Sequence, residues 1–181
     1  MRSFDLTNAE LTGQSILPYL NHMRVEDTRP LLQKHGIEEH VQPDKWYPAD
    51  KIVAFLWDVA HNPNSLYNLV SIGMEATRVL PLPPEVEKMP FEQFAIYAMP
   101  MTYMGQFRGA DLGFVRAEKV KEKHLRISMV TPLPDDGWYG SIYGLARRLL
   151  PKGTQFRVEY DKDMARGDLG GEETIIHVTW E

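Results

Sequence analysis

The chain has 181 residues, 43% of them hydrophobic, which suffices for one domain with a continuous interior and leaves little for a second. Lys and Arg number 20 against 25 for Asp and Glu, so the net charge is −5, and with no basic run to neutralise phosphates the composition argues against nucleic acid as a partner. The absence of cysteine excludes disulfides, thiol catalysis and cysteine-ligated metal centres; no apolar run approaches the roughly 20 residues of a membrane helix, and Met1 to Thr7 lack the core of a secretory leader, so a soluble, cytoplasmic protein with no membrane contact is expected.

Leu11, Ile16, Leu17, Leu20 and Met23 predict a helix from Leu11 to Met23, with Pro18 near its first turn or at a kink. A second begins at Asp27 or Thr28, carries Pro30 just inside and stops at Gly36. The connection to Tyr47 contains Trp46 and Tyr47, large enough to anchor a loop on the core. Pro48-Ala49-Asp50 opens a third helix, apolar on more than one face through Ile52, Val53, Phe55, Leu56 and Val59, and Asn62-Pro63-Asn64 stops it. Ser65 is placed to cap a fourth, which runs to about Leu80 before Pro81-Leu82-Pro83-Pro84 breaks the chain. From Phe91 to Phe107 the residues are apolar nearly all round, which predicts a buried helix kinked at Pro100.

Two strands follow, Leu112 to Glu118 and Leu125 to Thr131, the second with Leu125, Ile127 and Met129 alternating with Arg126 and Ser128. The clearest helical period comes next: Trp138, Ile142, Leu145 and Leu149 on one row, Tyr139, Tyr143, Ala146 and Leu150 on the adjacent one. Asp135 or Asp136 is placed to cap this helix, and Pro151 with Gly153 ends it. Gly140 and Gly144, one turn apart, predict that a backbone or a ligand passes close, tight packing on a sheet being the plainer account. Phe156, Val158 and Tyr160, then Thr174, Ile176, Val178 and Trp180, alternate as two final strands. The fold class expected is α+β: a single domain over 1–181, its helical part (1–110) packed on a four-stranded antiparallel sheet of ββαββ order (111–181).

Leu125-Arg126-Ile127-Ser128-Met129-Val130-Thr131 leading into Gly140-Ser141-Ile142-Tyr143-Gly144-Leu145-Ala146, then Phe156-Arg157-Val158-Glu159 and Ile176-His177-Val178-Thr179, resemble the heme nitric-oxide-binding (H-NOX-like) domain and, more distantly, vinyl-reductase-like and TRAPP-like modules. The resemblance implies that fold and a sensor-like role. In the heme-binding family the strand before the helix ends in Tyr-x-Ser-x-Arg, which grips the heme propionates; the matching positions here are Met129, Thr131 and Leu133. Its proximal histidine would fall in the preceding helical segment, yet no histidine occurs between His61 and His124. Iron needs an axial donor and propionates need cations or hydroxyls, so no heme is expected.

The remaining constellations are thin. Gly36 separates His35 from Glu38, Glu39 and His40, so these do not form a zinc-binding helix face. His61 sits at a helix end and His177 on the outer alternation of the last strand, and neither demands a function. Asp161, Asp163 and Glu172 match positions of a calcium loop, but Ala165 and Arg166 stand where an oxygen ligand and a glycine belong, and no metal is expected. Arg166-Gly167-Asp168 reads as chance. No nucleophile elbow or phosphate loop is present, so an enzyme working through Asp135, Asp136 or Tyr139 ranks last. Adaptable methionines and aromatic rings remain: Tyr97, Met101, Met104, Met129, Trp138, Tyr139 and Tyr143, with Tyr103 beside them, line a candidate pocket for a small apolar or aromatic ligand. The alternative is solid core in a non-catalytic interaction or scaffold subunit. A homodimer through the helices is expected in either case.

Overall fold

The computed structural model describes residues 4–62 and 68–181. The first half is not purely helical. Strands β1 (Glu10–Thr12), β2 (Trp46–Pro48) and β3 (Phe107–Arg108) form a small antiparallel sheet in the order β2-β1-β3. Leu11, predicted as helical, lies fully buried in β1 opposite Tyr47 and Phe107, because three residues are too few to show an alternation in the sequence. Helix α1 (Gly13–His22) follows directly, and α2 (Val25–His35) ends as predicted at Gly36, whose φ of 61° and N–H bonds to Gln33 and Leu32 close the last turn. Helix α3 (Ala49–His61) is central, with Ile52, Phe55, Leu56 and Val59 buried. The predicted stop at Pro63-Asn64 and cap at Ser65 lie outside the described residues. Helix α4 (Leu69–Val79) is capped by Asn68, whose side chain accepts the Val70 N–H at 2.8 Å.

After α5 (Pro84–Glu87) and α6 (Phe91–Gln93), the expected disruption at Pro100 takes the form of a π-turn, Phe94–Ala98, leading into α7 (Met99–Gly105). The Met99 N–H reaches back five residues to the Phe94 carbonyl, and this wider turn accommodates the ring and the missing N–H of Pro100. The extra residue also rotates the helix, so that Phe91, Phe94, Ala95, Met99 and Tyr103 form the buried stripe.

That stripe packs on a four-stranded antiparallel sheet, β4 (Phe114–Lys121), β5 (His124–Val130), β6 (Phe156–Tyr160) and β7 (Thr174–Trp180), ordered β4-β5-β7-β6. Helix α8 (Asp135–Leu149) connects β5 to β6, giving the expected ββαββ order and the α+β class. Leu125 opposes Val178, Ile127 opposes Ile176, and Met129 opposes Thr174, all facing the covered side. A second cluster, built on Leu11, Ile16, Phe55, Leu56 and Ile72, fills the first half. No helix among the described residues is long and apolar enough to cross a membrane.

Helix α8 differs from expectation in two ways. Pro134, not an aspartate, occupies the cap position, and the carboxylates of Asp135 and Asp136 bind partners outside the helix. The glycines pack on a helix rather than on the sheet: a Cβ on Gly140 would stand 2.0 Å from the Val70 carbonyl oxygen, and one on Gly73 2.4 Å from that of Gly137. Only residues without side chains let α4 and α8 cross this closely.

Candidate ligand-binding crevice

Where α1, α4, α7 and α8 meet, they leave a crevice of about 110 Å³. Helix α1 supplies Gln14, Ser15 and Tyr19, α4 Ala76 and Thr77, the π-turn and α7 Phe94, Met99, Thr102 and Tyr103, and α8 Trp138, Ser141 and Leu145. Among the described residues, no charged side chain lines it. Most of its hydroxyls are spent locally: Thr77 donates to Gly73 and Met74, Thr102 to Ala98, Ser141 to Gly137, and Tyr103 to the Leu112 carbonyl. Ser15 shares a bond with Thr12. Two donors differ. Trp138 Nε1 is buried without an acceptor, the single such side-chain nitrogen or oxygen among the described residues. The Tyr19 hydroxyl, which burial pushes up to about 12, stays protonated at neutral pH and sits at the start of α8, 3.0 Å from where a Gly137 Cβ would lie.

A second hollow of about 210 Å³ lies between Phe4, Leu6, Val53 and Trp57 on one side and Met129, Thr131, Leu133, Asp135, Asp168 and Thr174 on the other. Its polar wall is closed on itself. Asp135 accepts from the Thr174 hydroxyl at 2.7 Å and the Asp168 N–H at 3.0 Å, while Arg166 clamps Asp168 at 3.0 and 2.9 Å. Arg166 also reaches Asp136 at 2.8 Å, which accepts from Tyr160 as well. Burial first, and then the neighbouring Asp135 charge, raise Asp168 to about 6 against the opposing pull of Arg166. Beside α2, a wider hollow of about 360 Å³ is spanned by the exposed Arg29–Glu39 pair.

Of the seven residues singled out in the sequence, only Trp138 lines the crevice. Tyr97, Met101 and Met104 are 65%, 74% and 71% exposed. The π-turn has rotated them outward and brought Phe94, Met99 and Tyr103 inward instead, a phase that an all-apolar segment does not reveal. Met129 is core and faces the second hollow. Tyr139 and Tyr143 lie against β6, Tyr139 donating to the Val158 carbonyl at 2.6 Å and Tyr143 packing on Phe156. Asp135, Asp136 and Tyr139, the residues weighed for catalysis, all hold structural partners. Tyr19, Gln14 and Gln106 carry no sequence signal beyond being polar atoms on helical segments.

The acidic stretch between β6 and β7 is likewise structural. Asp161 accepts the Asp163 and Met164 N–H groups and bonds His177, whose other nitrogen meets His124 at 2.9 Å. No group of three or more His, Asp or Glu placed to hold a metal ion occurs among the described residues.

A helical layer and a ββαββ sheet unit enclosing a crevice define an α+β domain of a recognisable kind. No family model and no curated protein matches the chain. Among solved structures it is similar to an H-NOX protein from S. oneidensis in the Fe(II)NO ligation state, with 12% identity and a TM-score of 0.68 over 94% of this chain and 99% of that one. A T. tengcongensis H-NOX variant gives 13% identity and a TM-score of 0.66 over 93% and 95% of the two chains. A Cs H-NOX variant containing 4-cyano-L-phenylalanine gives 12% and 0.70 over 94% and 97%. The chain has an H-NOX-like fold.

In the crevice and the hollow beside it, the described residues do not fit the heme that this fold implies. Among the described residues, neither the crevice nor the hollow beside it is lined by a histidine, lysine or arginine, and at about 110 and 210 Å³ both are small; even sites for drug-sized ligands start at roughly 300 Å³. At the positions of the propionate clamp, Met129 is 1% exposed, the Thr131 hydroxyl is tied to Leu133, and the Leu133 side chain walls both spaces.

Proposed function

We propose that this protein is a cytoplasmic, sensor-like regulatory module that binds a small molecule without heme, in the crevice between α1, α4, α7 and α8. The supporting observation is the Trp138 N–H, left without an acceptor in the wall of the crevice when, among the described residues, the other buried side-chain polar atoms have partners. Such a group costs about 1–3 kcal/mol, and a bound molecule that accepts its proton offsets that cost. The H-NOX-like fold supports the sensor-type reading. The missing iron donor and propionate clamp support its heme-free form. A thermal-shift screen of small neutral molecules, run beside a hemin titration, tests both halves. A ligand present at 100 times its Kd adds about 2.7 kcal/mol, a rise of roughly 5–10 °C for a domain of this size. Hemin gives no Soret band of ligated iron. A screen with no shift refutes the binding half, and a stoichiometric Soret band lost on changing His61 or His124 refutes the heme-free half.

One observation favours a second reading, an interaction subunit that self-associates through its helices. Tyr97, Met101 and Met104 recur at i, i+4 and i+7 and form an exposed apolar stripe on the π-turn and α7.

A further inference from the structure

Resting on the reading above, the structure assigns a chemical class to the molecule in the crevice: we infer that it is a neutral, compact organic molecule of about five to seven non-hydrogen atoms carrying one hydrogen-bond acceptor, such as a cyclic ketone. Three features of the walls converge on that class. The first is size. The crevice holds about 110 Å³, somewhat less than the roughly 150 Å³ apolar cavity that binds benzene and equal to about three or four waters at ~30 Å³ each. The second is charge. With no Asp, Glu, Lys, Arg or His among the described residues of the lining, an ionic ligand would be desolvated with no counter-charge, which is costly.

The third is polarity. The hydroxyls of Thr77, Thr102, Ser141 and Tyr103 already donate to backbone carbonyls. The donors that remain are the half-buried Tyr19 O–H and the half-buried Gln14 and Gln106 amides, none with a side-chain hydrogen bond among the described residues, and the buried Trp138 N–H, which alone of the four cannot act as an acceptor. A carbonyl oxygen accepts two bonds, and the Tyr19 O–H and Trp138 N–H are the two donors assigned to it here. The indole nitrogen is now shielded within the wall, so occupancy draws the ring a little toward the ligand and changes the environment of its N–H.

The test follows that N–H in the full-length chain. The four tryptophans give four indole signals in a ¹H–¹⁵N spectrum, and Trp138→Phe identifies the one from Trp138. Three probes of similar shape are titrated: cyclopentanone, methylenecyclopentane, which has no acceptor, and cyclopentylammonium. Cyclopentanone shifts the Trp138 signal saturably and binds roughly ten-fold or more tighter than the hydrocarbon, because a buried donor left unpaired rejects the analogue that cannot accept from it; cyclopentylammonium does not bind. Tyr19→Phe weakens the ketone by a similar factor and leaves the hydrocarbon unchanged, which a general loss of folding would not do. Equal binding of ketone and hydrocarbon, or binding of the ammonium, overturns the chemical class while leaving the binding module intact. No saturable shift with any of the three, in a protein that melts cooperatively, overturns both the class and the crevice as a binding site.

Discussion

Replacing Gly140 by alanine tests the α4–α8 crossing directly. Helix propensity alone predicts a gain, since alanine is about 1 kcal/mol better than glycine inside a helix. The crossing reverses the sign. The added Cβ would meet the Val70 carbonyl oxygen at 2.0 Å, its carbon at 2.8 Å and its Cα at 2.9 Å, and all three are backbone atoms that no rotamer change can move. Ordinary contact begins at 3.4 Å, so α4 must retreat by about 3.4 − 2.0 = 1.4 Å. Gaps of 0.5–1 Å already forfeit a quarter to a half of each dispersion contact, and overpacking typically costs about 1–3 kcal/mol and sometimes more. Taking the upper end because Gly73 and Gly144 pack at the same crossing, and subtracting the propensity gain, leaves about 2 kcal/mol of destabilisation. For a domain of this length that is a fall in Tm of roughly 4–8 °C. Gly105→Ala is the control: it lies in α7 with nothing within 4 Å of the new Cβ, so its Tm holds or rises slightly. Calorimetric scans of the two variants decide the matter, and a Gly140→Ala protein as stable as the parent would falsify the crossing geometry.

Two further outcomes are expected. Asp168 binds its proton more tightly when folded (about 6) than in its ordinary carboxylate range near 3.8, so its contribution to stability is full below about pH 4, declines as pH rises, and is lost above about pH 6; measured by urea unfolding, the stability difference between parent and Asp168→Asn falls across that window, and a flat or rising difference contradicts the burial argument. Met101 is 74% exposed, so Met101→Trp, which a packed site would punish, changes stability by less than about 0.5 kcal/mol. If the Tyr97–Met101–Met104 stripe joins two copies, light scattering of the parent gives about twice 20.8 kDa at micromolar concentration and Met101→Glu returns the single mass; a parent at the single mass rejects the dimer.

The parts of the fold legible in the sequence were those with one buried face. Strands β5 and β7 and helix α8 show it as clean periods of 2 and 3.6, and the glycines of α8 announced a close neighbour, though not which one. Where residues are apolar on every side the period vanishes, and with it the phase. That is why the sequence pattern assigns Tyr97, Met101 and Met104 to the interior when the π-turn puts them outside. Side chains that serve distant partners were equally hidden. Asp135 stands where a helix cap belongs, and only the fold brings Thr174 and the Asp168 N–H to it. His177 and His124 meet because β5 pairs with β7, a register that no local window contains.

The crevice is the extreme case, because its walls come from α1, α4, the π-turn, α7 and α8, and of the aromatic and methionine set only Trp138 and Tyr103 line it. Its dimensions nevertheless follow from something the sequence does display. Thr77 on α4 and Gly137 and Ser141 on α8 line it, and these belong to the two helices whose separation Gly73, Gly140 and Gly144 set. Glycines that bring two backbones together also limit the space beside them, so the closeness of this crossing and the small size of the molecule it admits are one property. Any side chain that forces α4 away from α8 enlarges the crevice as it weakens the fold, and the ligand preference of Gly140→Ala should move toward larger neutral molecules for the same reason that its Tm falls.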